Sequence, residues 1–299
     1  MKYAFSTLAC PAWSIEQVAE AATRMGYNGV ELRLLDGNVI DPVTDRLKVI
    51  RATAICREHG LEVCALDTSC TFNYANPEER ARQMADLRNW IRLAKDVQVP
   101  LLRVFGGSGQ SESIPPPSDQ EVNEWVAQSL RQVAHEAEQA LVTIALETHD
   151  AFSSAHRVAE VLRAVDSAYV AALWDSHHPY RVGETAQEVI KVLGTRLAHV
   201  HVKDARRVTP AGSAWQLTLL GEGEVPVREQ LELLVRHRYT GYVSVEWEKN
   251  GILKLPNQRT LSHSTSRGSR TFHSNASRTK RLVRRYETER TYGRRCHHF

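Results

Sequence analysis

Short apolar runs alternate with longer amphipathic stretches along the first 249 residues of the chain. Eight runs have the length and composition of buried strands, and seven stretches of helix length lie between them. The eight runs comprise residues 3–9, 29–34, 61–67, 101–106, 142–148, 170–176, 197–204 and 242–248. Strict alternation of strands and helices predicts a parallel sheet with the helices packed outside it.

Several of the helices begin with a recognisable cap. A Ser or Thr followed three residues later by Gln or Glu is typical of a capping box, and Asn-Pro is typical of a cap and a first helical residue. These signals stand at Ser14 with Gln17, Asn76 with Pro77, Ser118 with Glu121, and Thr185 with Glu188. Eight strand–helix units predict an α/β fold, the (β/α)8 TIM barrel. A doubly wound open sheet is the alternative, but the first turn has no Gly-x-Gly-x-x-Gly for a dinucleotide.

The charge of the chain changes sharply near residue 250. Residues 1–249 contain 26 Lys and Arg against 33 Asp and Glu, whereas residues 250–299 contain 12 against 2. We therefore predict a barrel over residues 1–249 and a basic Ser/Thr/Arg-rich tail over residues 250–299 that replaces the eighth helix. The composition of the tail predicts disorder, and out-of-frame translation is its favoured origin. A basic arm for nucleic acid or an anionic membrane is the alternative.

The cysteines and the N-terminus indicate a cytoplasmic protein. The chain has five cysteines, Cys10, Cys56, Cys64, Cys70 and Cys296. Their odd number and their spacing fit neither a zinc knuckle nor a disulfide framework, which favours a reducing compartment. The first residues do not have the pattern of a signal peptide, and no run approaches the roughly 18 apolar residues of a membrane span.

The last four predicted strands each end in a side chain that can bind a metal ion. Glu147, Asp175, His201 and Glu246 stand at these four ends. In a TIM barrel the C-terminal strand ends gather at one face, where the active site lies. If the four side chains point inward, three carboxylates and one imidazole converge, which suits one divalent ion such as Mn²⁺, Co²⁺, Mg²⁺ or Zn²⁺. A single acid at a strand end is more often a helix cap or an ion-pair partner, so the prediction depends on the joint pattern.

Seven short motifs, in this order, resemble the xylose-isomerase-like barrels over about residues 2–249. They are "GVELR" (29–33), "LRVFGG" (102–107), "LETHD" (146–150), "WDSHHP" (174–179), "HVHVKD" (199–204), "GEGEVP" (221–226) and "SVEWE" (244–248). This family includes sugar and sugar-phosphate isomerases and epimerases, inosose dehydratases and endonuclease IV. The resemblance implies that the same four residues, Glu147, Asp175, His201 and Glu246, hold the metal ion.

The resemblance also implies roles in the reaction. Glu147 and Glu246 match the glutamates that serve as both ligands and acid/base groups in the epimerases of the family. His178 matches a substrate- or metal-adjacent histidine and Arg207 a substrate-binding arginine of the family. The further candidates for substrate binding are Lys203, Arg103 and His149. The expected function is a divalent-metal-dependent isomerase or epimerase that acts on a sugar or sugar phosphate through a metal-stabilised enediolate.

Other functions stay open at this point. Ser153 stands where many ketose epimerases of the family have a further glutamate, which weakens a psicose- or tagatose-type assignment. An inosose-type dehydratase needs the same metal and the same C–H abstraction. An endonuclease IV-like nuclease is less favoured, because the second and third strands end without histidine and the barrel is acidic. A non-catalytic binding protein does not explain the full ligand set. The expected partner is a small carbohydrate, and a homo-oligomer stays open.

Overall fold

Eight parallel strands form the central sheet of this computed structural model, which describes residues 1–107, 116–210 and 212–247. In chain order, β1 to β8 comprise Lys2–Phe5, Gly29–Leu32, Glu62–Thr71, Leu101–Phe105, Thr143–Glu147, Val170–Asp175, Leu197–Val202 and Tyr242–Val245. The order across the sheet is β1-β8-β7-β6-β5-β4-β3-β2. A parallel bridge between Ser6 and Glu31 then joins the two ends of the sheet. The predicted α/β fold with an eight-stranded TIM barrel is therefore confirmed.

Seven helices of eight or more residues connect the strands in the described ranges. In chain order, α1 to α7 comprise Ile15–Met25, Arg46–Glu58, Pro77–Val97, Asp119–Ala140, Ala155–Val165, Ala186–Leu193 and Val227–Arg236. Shorter elements follow the C-terminal ends of some strands of the barrel. They include the helical turn His178–Arg181 and two antiparallel hairpins, Leu34–Leu35 with Asn38–Val39 and Asp204–Arg207 with Trp215–Thr218.

The predicted helix caps form as the sequence indicates. Ser14, Ser118 and Thr185 each accept a hydrogen bond from the third helical N–H, while the Gln or Glu at that position bonds back to the cap. Asn76 caps α3 by accepting from the Glu78 N–H, with Pro77 as the first helical residue. These contacts satisfy N–H groups that the first turn of a helix leaves unpaired.

All eight strands differ from their predicted bounds by at least one residue, and three of them end early where the chain turns away from the sheet. The first ends at Phe5, because the Ser6 hydroxyl accepts from the Leu8 N–H and starts a 3₁₀ turn over Thr7–Ala9. The seventh is interrupted at Lys203, after which Asp204–Arg207 turns into a hairpin. The eighth ends at Val245 rather than at residue 248. Each break lies at the C-terminal end of the barrel, where the chain leaves the sheet and forms loops.

Inside the barrel, the layer that precedes the ligand residues along the strands consists of small and apolar side chains. Ala65, Leu101, Ala145 and Leu173 come from four different strands and pack together, fully or nearly fully buried. The adjacent residues of the same strands, such as Leu102 of β4 and Ile144 of β5, point to the other face and belong to the large outer core. Because side chains alternate between the two faces of a strand, Glu147 and Asp175 share the inner face with Ala145 and Leu173.

The predicted basic tail at 250–299 lies outside the described ranges. Four cysteines, Cys10, Cys56, Cys64 and Cys70, are free and buried. Among the described helices, none combines the length and the apolar character that crossing a membrane requires.

Candidate metal centre

The four predicted ligand residues lie side by side at the C-terminal end of the barrel. Glu147 ends β5, Asp175 ends β6, His201 lies in β7, and Glu246 directly follows β8. All four are at most 4% exposed, and one ligand atom from each lies within 4.8 Å of the others. His201 Nδ1 is 3.1 Å from Glu147 Oε1 and 3.4 Å from Glu246 Oε2. The strand ends thus bring three carboxylates and one imidazole nitrogen together.

Asp175 is fixed by its own loop. Its backbone N–H donates to the Thr148 hydroxyl at 2.9 Å. Its Oδ1 accepts from the N–H groups of His177 and His178, at 2.7 Å and 3.2 Å. Its second oxygen, Oδ2, faces the Nζ of Lys203 at 2.9 Å. One carboxylate oxygen is therefore used for the turn, and the other points into the cluster.

Two buried cations lie against the carboxylates. Lys203 Nζ is also 2.6 Å from Glu246 Oε2, so that it bridges Asp175 and Glu246. Arg103 Nε is 3.4 Å from Glu147 Oε2, and its guanidinium lies 4.0 Å from the ring centre of Phe105. Lys203 and Arg103 are each only 2% exposed. A buried charge needs such a partner, since an unpaired one would be costly.

Neighbouring charges set the ionisation of the cluster. Burial alone would raise the pKa of Glu246, but Lys203 and His201 hold it well below the usual value for a glutamate. Burial alone would lower the pKa of His201, yet the surrounding carboxylates of Glu31, Glu246 and Glu147 raise it well above the ordinary value. Asp175 differs, because burial raises its pKa in spite of Lys203. The cluster without metal therefore favours ionised glutamates and a protonated imidazole.

A second layer of polar residues lies beneath the ligands. His199 Nε2 is 2.8 Å from Glu31 Oε2, a hydrogen bond one layer deeper than the ligands. His201 Nε2 lies 3.0 Å from Glu31 Oε1. Asp67, also buried, lies near Glu31 and Arg103, and burial together with the charge of Glu31 raises its pKa well above the usual value. Glu31 and Asp67 thus extend the cluster from β5–β8 to β2 and β3.

The sequence analysis gave no role to Glu31 or Asp67. The signal was present, because each is a carboxylate within an apolar strand pattern, in "GVEL" and "CALD". A buried acid in such a run requires a partner. For Glu31 the partners are histidines 168 and 170 positions further along the chain, and no local pattern indicates them.

The imidazole rings of His149 and His178 form a rim beside the four candidate ligand residues. The rings of His149 and His178 lie 4.1 Å apart, and His149 is 5.0 Å from the ring of Phe105. Burial and the charge of Lys203 hold the pKa of His178 well below its ordinary value, so this ring is neutral at pH 7. The Nδ1 of His178 is buried and has no hydrogen-bond partner within the described residues. The rim therefore offers an uncharged polar atom close to Asp175.

Arg207 lies further out, on the hairpin that follows β7. Its side chain is exposed, and its guanidinium lies 5.2 Å from the ring centre of Trp215. Its backbone N–H donates to Glu224 Oε1 at 2.7 Å. The structure thus places His178, Lys203, Arg103 and His149 beside the ligand cluster and Arg207 on its outer hairpin.

The donor set fits a divalent cation. Three carboxylates within 4.8 Å of one another repel unless positive charge lies between them. Oxygen and imidazole donors suit Mg²⁺, Mn²⁺, Co²⁺ or Zn²⁺. Glu147, Asp175, His201 and Glu246 would hold the ion, with His201 ligating through Nδ1, the nitrogen that faces the two glutamates.

Comparisons with known proteins point to the same family. An inosose dehydratase of Bacillus velezensis is 28% identical over 120 residues, which is 36% of this chain and only 40% of that enzyme. A fructoselysine 3-epimerase of Escherichia coli O157:H7 is 22% identical over 242 residues, which is 78% of this chain and 85% of that enzyme.

A solved structure and a family model extend the comparison. The structure of the IOLI protein with a bound zinc atom superposes with a TM-score of 0.77 at 18% identity, covering 96% of this chain and 99% of that one. At this identity the likeness shows the fold alone. The sequence model described as "Xylose isomerase-like TIM barrel" matches residues 19–266. The chain therefore belongs to the xylose isomerase-like TIM barrel family.

Proposed function

We propose that this protein is a divalent-metal-dependent isomerase or epimerase that acts on a sugar or a sugar phosphate. The observation that carries the proposal is the buried group of Glu147, Asp175, His201 and Glu246, whose ligand atoms lie within 4.8 Å of one another. Membership of the family and an epimerase relative that matches 78% of the chain support the reaction class. The cytoplasmic location stays a prediction from the sequence.

The reaction needs a base and an acid beside the metal. A bound divalent ion would supply Lewis acidity to a carbonyl and a neighbouring hydroxyl of the substrate. Glu246 and Glu147 stand on strands β8 and β5 and would remove and return the proton of the intervening C–H. Lys203 and His201 keep Glu246 ionised, and His201 and Arg103 do the same for Glu147, so either can act as the base. The glutamate that acts as the acid would first take up a proton from a hydroxyl group of the substrate and would then give it to the carbon.

The remaining predicted residues would hold the substrate. His178 offers a neutral ring nitrogen that can bond a hydroxyl group, and the tilted ring of His149 lies 4.1 Å from its ring. Lys203 and Arg103 supply positive charge near the ligands, and Arg207 would reach in from the outer hairpin to an oxygen or a phosphate.

Dehydration of an inosose-type substrate is the second candidate. It is favoured by the dehydratase of Bacillus velezensis, which is 28% identical over the part that aligns. The same base would abstract a proton next to a carbonyl, but a hydroxyl group would then leave as water. The two reactions differ by one water molecule in the mass of the product.

The test couples metal analysis to proton exchange. The purified protein is assayed for bound metal and then incubated in heavy water with ketoses, ketose phosphates and inososes. We expect close to one divalent ion per chain and deuterium incorporation next to the carbonyl of one substrate class. Loss of water from the product would support dehydration. Absence of metal, or no exchange with any class, would contradict the proposal.

Glu246→Gln tests the base directly. Glutamine can still ligate but cannot accept a proton, so exchange should fall at least about 100-fold, the usual contribution of a general base, while metal is retained. The matched control is Glu62→Gln, the same change at the N-terminal end of β3, where Glu62 pairs with Lys2. Native exchange in Glu246→Gln would assign the base to another residue.

A further inference from the structure

The buried contact between Glu31 and His201 joins strand β2 to strand β7 inside the barrel. His201 Nε2 lies 3.0 Å and 3.1 Å from the two carboxylate oxygens of Glu31. Both side chains are fully buried. Its other ring nitrogen, Nδ1, faces Glu147 and Glu246 at 3.1 Å and 3.4 Å. The imidazole is thus held between a carboxylate below and the candidate ligands above.

We propose that Glu31 is a positioning residue, which fixes the orientation and the tautomer of His201 so that Nδ1 is presented to the metal ion. The inference rests on the proposed metal site and adds a residue to which no role has been given. An ionised carboxylate only accepts hydrogen bonds, so the nitrogen that faces Glu31 must carry the proton. The lone pair then stands on Nδ1, which is the nitrogen that faces the other ligands.

Glu31 pairs with a strand on each side. Val30 pairs with Val63 and Glu31 with Ala65, so the register shifts beside Glu31 and the additional residue, Cys64, lies on β3. At the same residue, the bridge between Ser6 and Glu31 joins β2 to β1. The position of Glu31 is therefore held by both neighbouring strands.

His199 also bonds the carboxylate of Glu31, so two roles must be compared for this group: positioning of His201, or a second metal site. Its Nε2 bonds Glu31 Oε2 at 2.8 Å, and the rings of His199 and His201 lie 5.4 Å apart in an edge-on arrangement. Glu31, His199 and His201 could in principle hold an ion of their own, because their ligand atoms also lie within 4.8 Å of one another. The three N···O distances of 2.8–3.1 Å are those of direct hydrogen bonds, which favours the positioning role.

The first measurement needs no substitution in Glu31. In wild-type protein loaded with Zn²⁺, long-range ¹H–¹⁵N spectra report which nitrogen of each histidine carries the proton. The signal of His201 is assigned by its loss in His201→Gln. We expect a protonated Nε2, seen as a slowly exchanging downfield proton, and a Zn²⁺-bound Nδ1. A protonated Nδ1, or two zinc ions per chain, would overturn the proposal.

The second measurement compares zinc affinities by competition with a chelator. Groups that orient a metal-binding histidine typically change affinity 10–100-fold, so Glu31→Gln should weaken Zn²⁺ binding at least about tenfold and remove the downfield proton. His199→Gln leaves the Glu31–His201 bond in place and should change affinity by less than about threefold. Glu62→Gln controls for the loss of a carboxylate elsewhere in the barrel.

The outcomes separate this proposal from the metal site itself. If the wild type binds no divalent metal, the proposed function fails. If the wild type binds zinc and Glu31→Gln binds it equally tightly, only the positioning role fails. An equal loss in His199→Gln and Glu31→Gln would also overturn the proposal, because it would assign the effect to the buried network as a whole.

Discussion

Outside the group of candidate metal ligands, Asp204 is expected to be one of the residues that contribute most to the free energy of unfolding. Its side chain is fully buried directly after β7. Its Oδ1 accepts from the N–H groups of Ala205 and Val225 at 2.8 Å and 3.2 Å, and its Oδ2 from those of Gly221 and Gly223 at 2.8 Å and 2.9 Å. One carboxylate thereby fixes the backbone of the segment 221–225 against the end of the barrel.

The magnitude follows from the number of bonds. Asp204→Asn replaces one oxygen with an NH₂ group, so two of the four backbone N–H groups lose their acceptor and face a donor. A hydrogen bond to a charged group contributes about 1.5–3 kcal/mol, which predicts a loss of about 3–6 kcal/mol in the free energy of unfolding. The bonds of Gly221 and Gly223 are only partly buried, so water can replace them, and we expect the lower end of that range.

Urea unfolding of both proteins measures the loss. The matched control is Asp96→Asn, whose carboxylate forms a half-exposed pair with Arg46 and should contribute at most about 1 kcal/mol. Gly223→Ala tests the same contact from the other side, because a Cβ at this position would collide with Asp204 Oδ1. A loss below about 1 kcal/mol in Asp204→Asn, or an equal loss in Asp96→Asn, would refute the reasoning.

Three further predictions concern the metal cluster. Lys203→Met should lower the free energy of unfolding of the metal-free protein by about 3–5 kcal/mol, because Asp175 and Glu246 lose their buried cation; an unchanged urea midpoint would contradict this. Zn²⁺ at 100 times its dissociation constant should raise that free energy by about 2.7 kcal/mol in thermal or urea unfolding, and Asp175→Ala should abolish the gain. Zinc affinity should fall about tenfold per pH unit below the raised pKa of His201, since a zinc ligand must release its proton, and a pH-independent titration would argue against His201 as a ligand.

The barrel could be predicted from the sequence because its signals are local. The capping boxes at Ser14, Ser118 and Thr185 each lie within four residues, and the strands are continuous apolar runs. The convergence of Glu147 and Asp175 at one face also follows, since parallel strands place their ends together. What the sequence predicted well is therefore what alternation and short-range hydrogen bonding determine.

The supporting residues could not be predicted because their partners are distant in sequence. Glu31 of β2 meets His201 of β7 only because the barrel closes between β1 and β2. That Arg103 contacts substrate stays a prediction, whereas its ion pairs, with Nε 3.4 Å from Glu147 Oε2 and 3.8 Å from Asp67 Oδ1, were not predicted. No periodicity distinguishes an inward arginine that binds a ligand from one that neutralises a carboxylate.

The charges of the predicted ligands have to be considered together with those of Glu31 and Asp67, which the sequence analysis did not identify. In the described barrel, five carboxylates of the two layers are buried, Glu31, Asp67, Glu147, Asp175 and Glu246, and burial raises the pKa of Asp67 and of Asp175. The side-chain cations near them are Lys203, Arg103 and the partly buried Arg33. Without a metal ion, the surrounding carboxylates also raise the pKa of His201, so that a protonated imidazole adds positive charge to the cluster. A divalent cation that displaces this proton would take its place among the carboxylates, since buried negative charge needs a positive partner.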